Sequence, residues 1–271
     1  MSLGTRASVW SYRKLVWSFA ERDLKSKYRG TLFGWVWALL LPLATVLIYT
    51  VVFSVVFRAE PPPFGNGKPG NYAVWLLVGL VTWSFFAVAI SSGIPNLLGA
   101  GVLLQKVYIP SVIPVVGSAI ATASQTLIEF GILLVILIIF VNVGWTWLLL
   151  PFILALLFVF VVALTTGLAI LNVYARDVQQ IVTVIVQLMF FLTPIIYPIT
   201  IVPESWHGIP VRTVMSINPM AQFVEATRDV LYHLRVPTLG QTAMLLGWTL
   251  AAVLFARLVY VKLGPRVGES I

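Results

Sequence analysis

Phe130 to Ala175 reads FGILLVILIIFVNVGWTWLLLPFILALLFVFVVALTTGLAILNVYA, with no Asp, Glu, Lys or Arg anywhere in it. A helix rises about 1.5 Å per residue and a bilayer's hydrocarbon core is about 30 Å thick, so about 20 apolar residues make one crossing. This run is far too long for one. Asn142-Val-Gly144 is its natural turn, with Trp145 and Trp147 just beyond it at interfacial depth. The stretch therefore divides into the end of one span and the whole of the next.

Working outward, charge-free runs predict six spans: Leu32 to Phe57, Tyr72 to Ile94, Val112 to Val141, Trp145 to Val173, Val178 to Tyr197 and Leu239 to Tyr260. The chain of 271 residues is 60% hydrophobic and 10% charged, too little polar surface to coat a water-soluble globule of this size. We expect an all-α polytopic membrane protein with six transmembrane helices. Residues 1–31 form an N-terminal amphipathic interface helix, residues 32–271 form one transmembrane domain, and re-entrant outer helices lie between spans 5 and 6.

Lys and Arg set the expected orientation. With the amino end inside, twelve fall on inner segments and five (Arg58, Lys68, Arg212, Arg228, Arg235) on outer ones. Both termini are expected in the cytoplasm, in a multi-pass protein of a cytoplasmic membrane. The net charge of +8 then reads as basic edges facing anionic membrane lipid, not as a nucleic-acid surface. The first thirty residues carry seven basic residues and no short apolar core, unlike a secretory signal.

Between Ser8 and Arg29, Val9, Tyr12, Val16, Phe19 and Ala20 fall near one helical face. Glu21, Arg22, Asp23, Lys25 and Lys27 supply charge, with Glu21/Lys25 and Asp23/Lys27 as i,i+4 pairs in the favourable order. This segment should lie on the inner membrane surface. Gly30-x-x-x-Gly34 is either a helix contact or a joint. Ile199 to Thr238 is too apolar for a free loop and too charged for a lipid-facing span, so short helices sheltered by protein fit it best.

Catalytic signals are absent. There is no cysteine, which removes thiolate chemistry and disulfides. The single Gly-Lys pair, Gly67-Lys68, is followed by Pro69, so no phosphate-binding loop exists and ATP energy must come from another polypeptide. His207 and His233 have no metal-ligand spacing. An intramembrane lipid-sugar enzyme would need several acids, or a His beside an acid, near one interface. Glu129 and Asp177 stand apart, and both histidines lie on the far side.

What remains are candidates for lining and docking. Glu129, well inside a span, either lines a polar path or holds helices together. Trp35, Trp37, Tyr49, Phe53, Phe190 and Phe191 fall in spans 1 and 5; they either pack in the membrane or line a carbohydrate path. The inner segment Pro95 to Pro110, with Leu97, Leu98, Leu103, Leu104, Gln105, Lys106, Val107 and Tyr108, is too apolar for a bare loop and should dock on a partner. Arg176 and Asp177, at the inner end of span 4, should meet another protein or lipid headgroups.

Five stretches carry a family resemblance. Glu21-Arg-Asp-Leu-Lys-Ser-Lys-Tyr-Arg-Gly-Thr-Leu-Phe-Gly-Trp-Val-Trp-Ala followed by Pro42, Gln105-Lys-Val-Tyr-Ile-Pro110, Asn172-Val-Tyr-Ala-Arg-Asp177, Phe191-Leu-Thr-Pro-Ile-Ile-Tyr-Pro198, and Asn218-Pro219 with Arg228 occur in order along nearly the whole chain. They resemble ABC-2 type permeases of the polysaccharide-export (Wzm-type) family. The resemblance implies a homodimer with two copies of a separate ATPase subunit, which binds ATP and Mg; the permease itself needs no cofactor. The implied cargo is a polyprenyl-pyrophosphate-linked glycan, such as an O-antigen, a teichoic acid or an actinobacterial galactan. It also implies that the surface helix, Leu103 to Tyr108 and the Arg176-Asp177 corner couple to the ATPase. Spans 1 and 5 would line the path, and the segment around Asn218, Pro219 and Arg228 would cap it. An ABC-2 permease for drugs or small lipids is the alternative.

Overall fold

The computed structural model describes residues 12–28, 30, 32, 34–56, 58, 60–101 and 110–270. Apart from an isolated Trp206–Ile209 bridge, the described regular structure is helical. Helix α1 spans Arg13–Tyr28. After a 3-10 turn at Gly34–Val36, α2 (Trp37–Thr50) runs into a π turn at Val51–Val56. Then come α3 (Tyr72–Gly99), α4 (Val112–Ile139), α5 (Leu150–Tyr174, entered through the 3-10 turn Trp145–Leu149) and α6 (Asp177–Leu192). Two short helices follow, α7 (Val211–Ile217) and α8 (Pro219–Leu231), then α9 (Leu239–Leu263) and α10 (Val267–Ser270).

Among the described residues, four helical stretches are long and apolar enough to cross a membrane: Tyr72–Gly99, Val112–Ile139, Trp145–Tyr174 and Leu239–Arg266. Leu43–Val56 and Asp177–Leu192, inside the expected spans 1 and 5, are apolar but shorter. The chain is thus a polytopic membrane protein with four evident spans and two shorter apolar helices beside them.

Helix α3 is the axis of the bundle. It packs against α2, α4, α5, α6 and α8, and Leu76, Val78, Thr82 and Ile90 on it are fully or almost fully buried. Such all-round burial explains its unbroken apolar run, since a helix apolar on every side belongs in a core. It runs through Pro95, at which the sequence reading ends the span, to Gly99. Leu97 is consequently internal, packed with Val115, Ala169, Ile170, Val173 and Val267, and is not offered to a partner. Helix α9 lies along α5, where Gly167 faces the Phe255 ring.

The loops fall at two ends. At one end, Asn66 donates to the carbonyls of Phe140 and Val141, and Asn142 donates to those of Leu231 and Tyr232. At the other, the Tyr174 hydroxyl donates to the Leu263 carbonyl, and Val16 and Phe19 of α1 pack on Ala100 and Ile113. Helix α4 ends where the turn is expected. The residue in the left-handed region is Val141 (φ 58°), however, while Gly144 is extended. The Asn142 N–H bonds back to Leu137 and the Val141 N–H to Ile138, closing the helix carbonyls around a residue type that resists this conformation.

Helix α1 shows the expected two faces. Val16, Phe19 and Ala20 are buried, and the Glu21–Lys25 pair forms at 2.6 Å in the open. Its apolar face turns onto α4, where Gly117 permits close approach: a Cβ there would fall 2.5 Å from Phe19 Cβ and 3.0 Å from the Val16 carbonyl oxygen. Gly117→Val should therefore lift α1 off α4 at a cost of about 1–3 kcal/mol. Limited proteolysis should then cut α1 faster while α3 to α5 stay protected. Unchanged cleavage would show that α1 is not seated there.

Candidate functional site

Helices α2 and α6 both lie against α3, and their aromatic residues meet on it. Tyr49 stacks on Phe190 with ring centres 6.5 Å apart, Phe53 stacks on Tyr72 at 5.8 Å, and Trp83 meets Phe190 edge-on at 5.8 Å. Phe191 is edge-on to Phe190 at 5.4 Å and is itself 62% exposed. The structure thus brings together Tyr49, Phe53, Phe190 and Phe191, named separately from two distant stretches of sequence. Trp37 is partly exposed lower on α2, and the side chain of Trp35 lies outside the described residues. Around this cluster, Leu43, Leu47, Val184, Ile185 and Leu188 form apolar faces that the described residues leave exposed.

Glu129 stands elsewhere, on α4, whose main neighbours are α1, α3 and α5. It is buried and accepts a 3.0 Å hydrogen bond from the Gln125 amide. Below Gln125, a cleft of about 370 Å³ opens between α1, α3 and α4, lined on its polar side by Asp23, Ser92, Asn96, Ser118, Thr122 and Gln125. The Asp23 carboxylate accepts from Asn96 Nδ2 at 2.6 Å and from Arg22 at 3.4 Å. The side chain of Lys27 lies outside the described residues. Sequence reading missed this cleft, although Ser118, Thr122, Gln125 and Glu129, spaced four, three and four residues apart, lie along one line of a helix.

The segment expected to form the outer cap is built around Arg228, which is fully buried. Its Nη1 donates to the Pro194 carbonyl at 2.6 Å and to Glu225 at 2.8 Å, and its Nη2 donates to the Ile195 carbonyl at 2.6 Å. Its guanidinium lies 3.5 Å over the Trp75 ring, and Gly79 leaves it room: a Cβ there would sit 2.6 Å from Nη2. Asn218 caps α8 by accepting from the Met220 N–H and donates to Thr193, and Pro219 occupies the first helical turn, which needs no N–H. The far end of α8 is capped from outside: Thr146 donates to the Val230 carbonyl at 2.7 Å, and Asn142 to Leu231 and Tyr232. Tyr232 in turn accepts from the Asn71 N–H and donates to the Pro62 carbonyl, which ties the loop before α3 to the cap. Burial pushes the Tyr232 phenol up to about 12.

Arg176 and Asp177 are exposed at the α5–α6 corner, with Asp177 opening α6, where an acid favours the helix dipole. The neighbour that holds this corner is Asn172, fully buried, whose amide oxygen accepts from the Gln179 N–H. Leu103, Leu104, Gln105, Lys106, Val107 and Tyr108 lie outside the described residues. Among the described residues no group of His, Asp and Glu is placed to hold a metal.

Two outcomes follow from the cap. Arg228→Met leaves the Pro194 and Ile195 carbonyls without their donor and should cost about 3–5 kcal/mol. Arg228→Lys should not rescue it, because one ammonium cannot serve both carbonyls and the Trp75 face. Thermal unfolding in detergent, followed by tryptophan fluorescence, reads both. The second concerns His233, whose imidazole burial pushes down to about 4, with Arg235 adding to the effect and Asp229 opposing it. Between an ordinary histidine value of about 6.5 and this depressed one, the unfolded chain takes up a proton that the folded cap refuses. Stability should thus be full above pH 6.5 and fall as pH drops toward 4. His233→Asn should flatten that slope.

The ABC-2 type transporter family profile matches residues 14–232. The O-antigen export system permease protein RfbA of Myxococcus xanthus is 28% identical over 257 residues, covering 92% of this chain and 94% of that one. The RfbA permease protein of Klebsiella pneumoniae is 26% identical over 234 residues, 85% of each chain. The family match takes in α1, the aromatic cluster, the polar cleft and the whole of the cap, and on that footing this chain belongs to the ABC-2 type transporter family as a membrane-embedded permease component.

Proposed function

We propose that the chain is the permease subunit of an ABC exporter that carries a lipid-linked polysaccharide across the cytoplasmic membrane. The observation that carries this reading is the end-to-end similarity to O-antigen export permeases, which spans 92% of the chain. The geometry supports it. Two apolar helices, α2 and α6, complete a set of six spans, and the uncovered faces beside Tyr49, Phe53, Phe190 and Phe191 suit a second copy of the chain. Two copies then enclose an aromatic-walled path, with Trp35 and Trp37 toward its inner end. Flat apolar rings favour the apolar faces of sugar rings.

Asn218, Pro219 and Arg228 belong to the outer gate, where they hold it in place. Arg228 reaches Gly79, seven residues or about 10 Å along α3 from its start, so α8 dips beside the span as a re-entrant helix does. Both termini face the cytoplasm, where α1 (with Glu21, Arg22, Asp23, Lys25 and Lys27), Leu103 to Tyr108, and Arg176 with Asp177 meet two copies of a separate ATPase. That partner binds ATP and Mg. The glycan is polyprenyl-pyrophosphate-linked: an O-antigen, a teichoic acid or, as the specific preference, an actinobacterial galactan.

A second reading, a permease for drugs or small lipids, is favoured by one feature: an apolar cleft of about 430 Å³ between α3, α4 and α5, lined by Phe85, Phe130, Leu154 and Phe158. A depletion strain separates the two. Loss of the chain should accumulate lipid-linked glycan inside, and Phe190→Ser or Lys106→Glu should lower export several-fold with the protein still inserted. The purified chain alone should hydrolyse no ATP. Normal glycan export in the depleted cells would overturn the reading.

A further inference from the structure

We propose that the polar cleft between α1, α3 and α4 binds the ethanolamine headgroup of an inner-leaflet phospholipid, ammonium inward and phosphate at the rim. The proposal stands apart from the export path, which runs along the other side of α3; only the leaflet named rests on the orientation above.

The hydroxyl donors of the cleft are already committed. The Ser92 hydroxyl donates to the Val88 carbonyl at 2.7 Å, and the Thr122 hydroxyl to the Ser118 carbonyl at 3.2 Å. One N–H of the Asn96 amide is taken by Asp23, and one of the Gln125 amide by Glu129. Ser92 and Ser118 face each other at 3.4 Å and share one hydrogen. The cleft therefore offers hydroxyl lone pairs and the Asp23 carboxylate, with the Glu129 carboxylate behind Gln125. Acceptors and negative charge select a ligand that is cationic and rich in N–H donors. A phosphate or pyrophosphate group beside the Asp23 carboxylate would meet like charge at this depth.

The rim has the opposite character. Arg22, half-exposed and next to the lining residue Asp23, has its guanidinium 3.4 Å from that carboxylate and 4.8 Å from the Phe19 ring. A zwitterionic headgroup matches this order of charges, with its phosphate on Arg22 and its ammonium between Asp23 and Ser118. Leu24, Val88 and Ala121 give the same cleft an apolar wall for the lipid's glycerol end. At about 370 Å³ the cleft is within the usual size of small-ligand sites.

The test compares lipids that differ only in N–H donors. The full-length protein is reconstituted in nanodiscs of equal parts phosphatidylethanolamine, phosphatidylcholine and phosphatidylglycerol, and retained lipid is read by native mass spectrometry. Phosphatidylethanolamine should be retained over phosphatidylcholine by roughly tenfold, the factor a charge-assisted hydrogen bond supplies. Asp23→Asn and Ser118→Leu should abolish the preference, and Thr122→Ser should keep it. Asp23→Asn lies on the surface helix, so it decides the matter if Ser118→Leu does not fold. Because the chain has no cysteine, Ser118→Cys offers a second readout: thiol labelling should be blocked in phosphatidylethanolamine liposomes and proceed in phosphatidylcholine. Equal retention of the two lipids, or equal labelling in both, overturns the proposal and marks a hydrated crevice only. Displacement of the lipid by millimolar free ethanolamine would overturn the lipid assignment in favour of a soluble amine.

Discussion

Burying a guanidinium with no water around it is tolerable only when carbonyls, a carboxylate and an aromatic face replace the lost hydration. Arg228 has all three, and each comes from a different part of the chain: the α6 exit at Pro194 and Ile195, Glu225 one turn back on its own helix, and Trp75 on α3. One side chain thereby fixes the end of α6, the position of α8 and the upper part of α3. The partners are backbone carbonyls freed where α6 breaks before Pro194, and these would need a donor in any low-dielectric setting. The cap and the aromatic cluster are thus both seated on α3.

The same accounting explains the rest of this end of the bundle. Helix α8 is short and ends inside protein, so its last carbonyls have no water to turn to. Asn142 and Thr146, from the α4–α5 turn, supply the missing donors. Val141 adopts a left-handed conformation that its branched side chain resists, and the next residue, Asn142, is fully buried with its amide aimed at α8. The turn trades local strain for a satisfied helix end elsewhere.

The spans were legible because apolar length is a local property of the sequence. Tyr72, Val112 and Leu239 begin helices where the charge-free runs begin. Pro95 misled, because a proline in the last turns of a buried helix loses little when its neighbours are packed on every side. Aromatic residues at Tyr49, Phe53 and Phe190 could be named, but their meeting on Tyr72 and Trp83 depends on how α2 and α6 approach α3, which no local pattern encodes. Arg228 could be named too, as an outer basic residue. That it is internal follows only from the positions of Gly79 and Trp75, two turns of another helix. The polar cleft was the least legible feature. Its residues are small hydroxyls and amides scattered over three helices, and Glu129 read alone concealed the line that runs from it to Ser118.

Helix α3 keeps these two chemistries apart. Trp83 and Ser92 are nine residues apart, which is two and a half turns, so they point to opposite sides. Tyr72 and Trp83, eleven residues apart, return to the same side, and there they carry Phe53 and Phe190. Ser92 and Asn96 share the other side with Ser118 and Asp23. A motion of α1 would therefore reach α3 first through the Asp23–Asn96 contact, below the aromatic wall and behind it. A rigid, fully packed helix held at its top by Arg228 and at its base by Asn96 can pass a tilt between those ends without opening the wall in its middle. That arrangement puts the polar cleft where α1 meets the axis of the bundle, and the aromatic cluster where the axis meets the uncovered face.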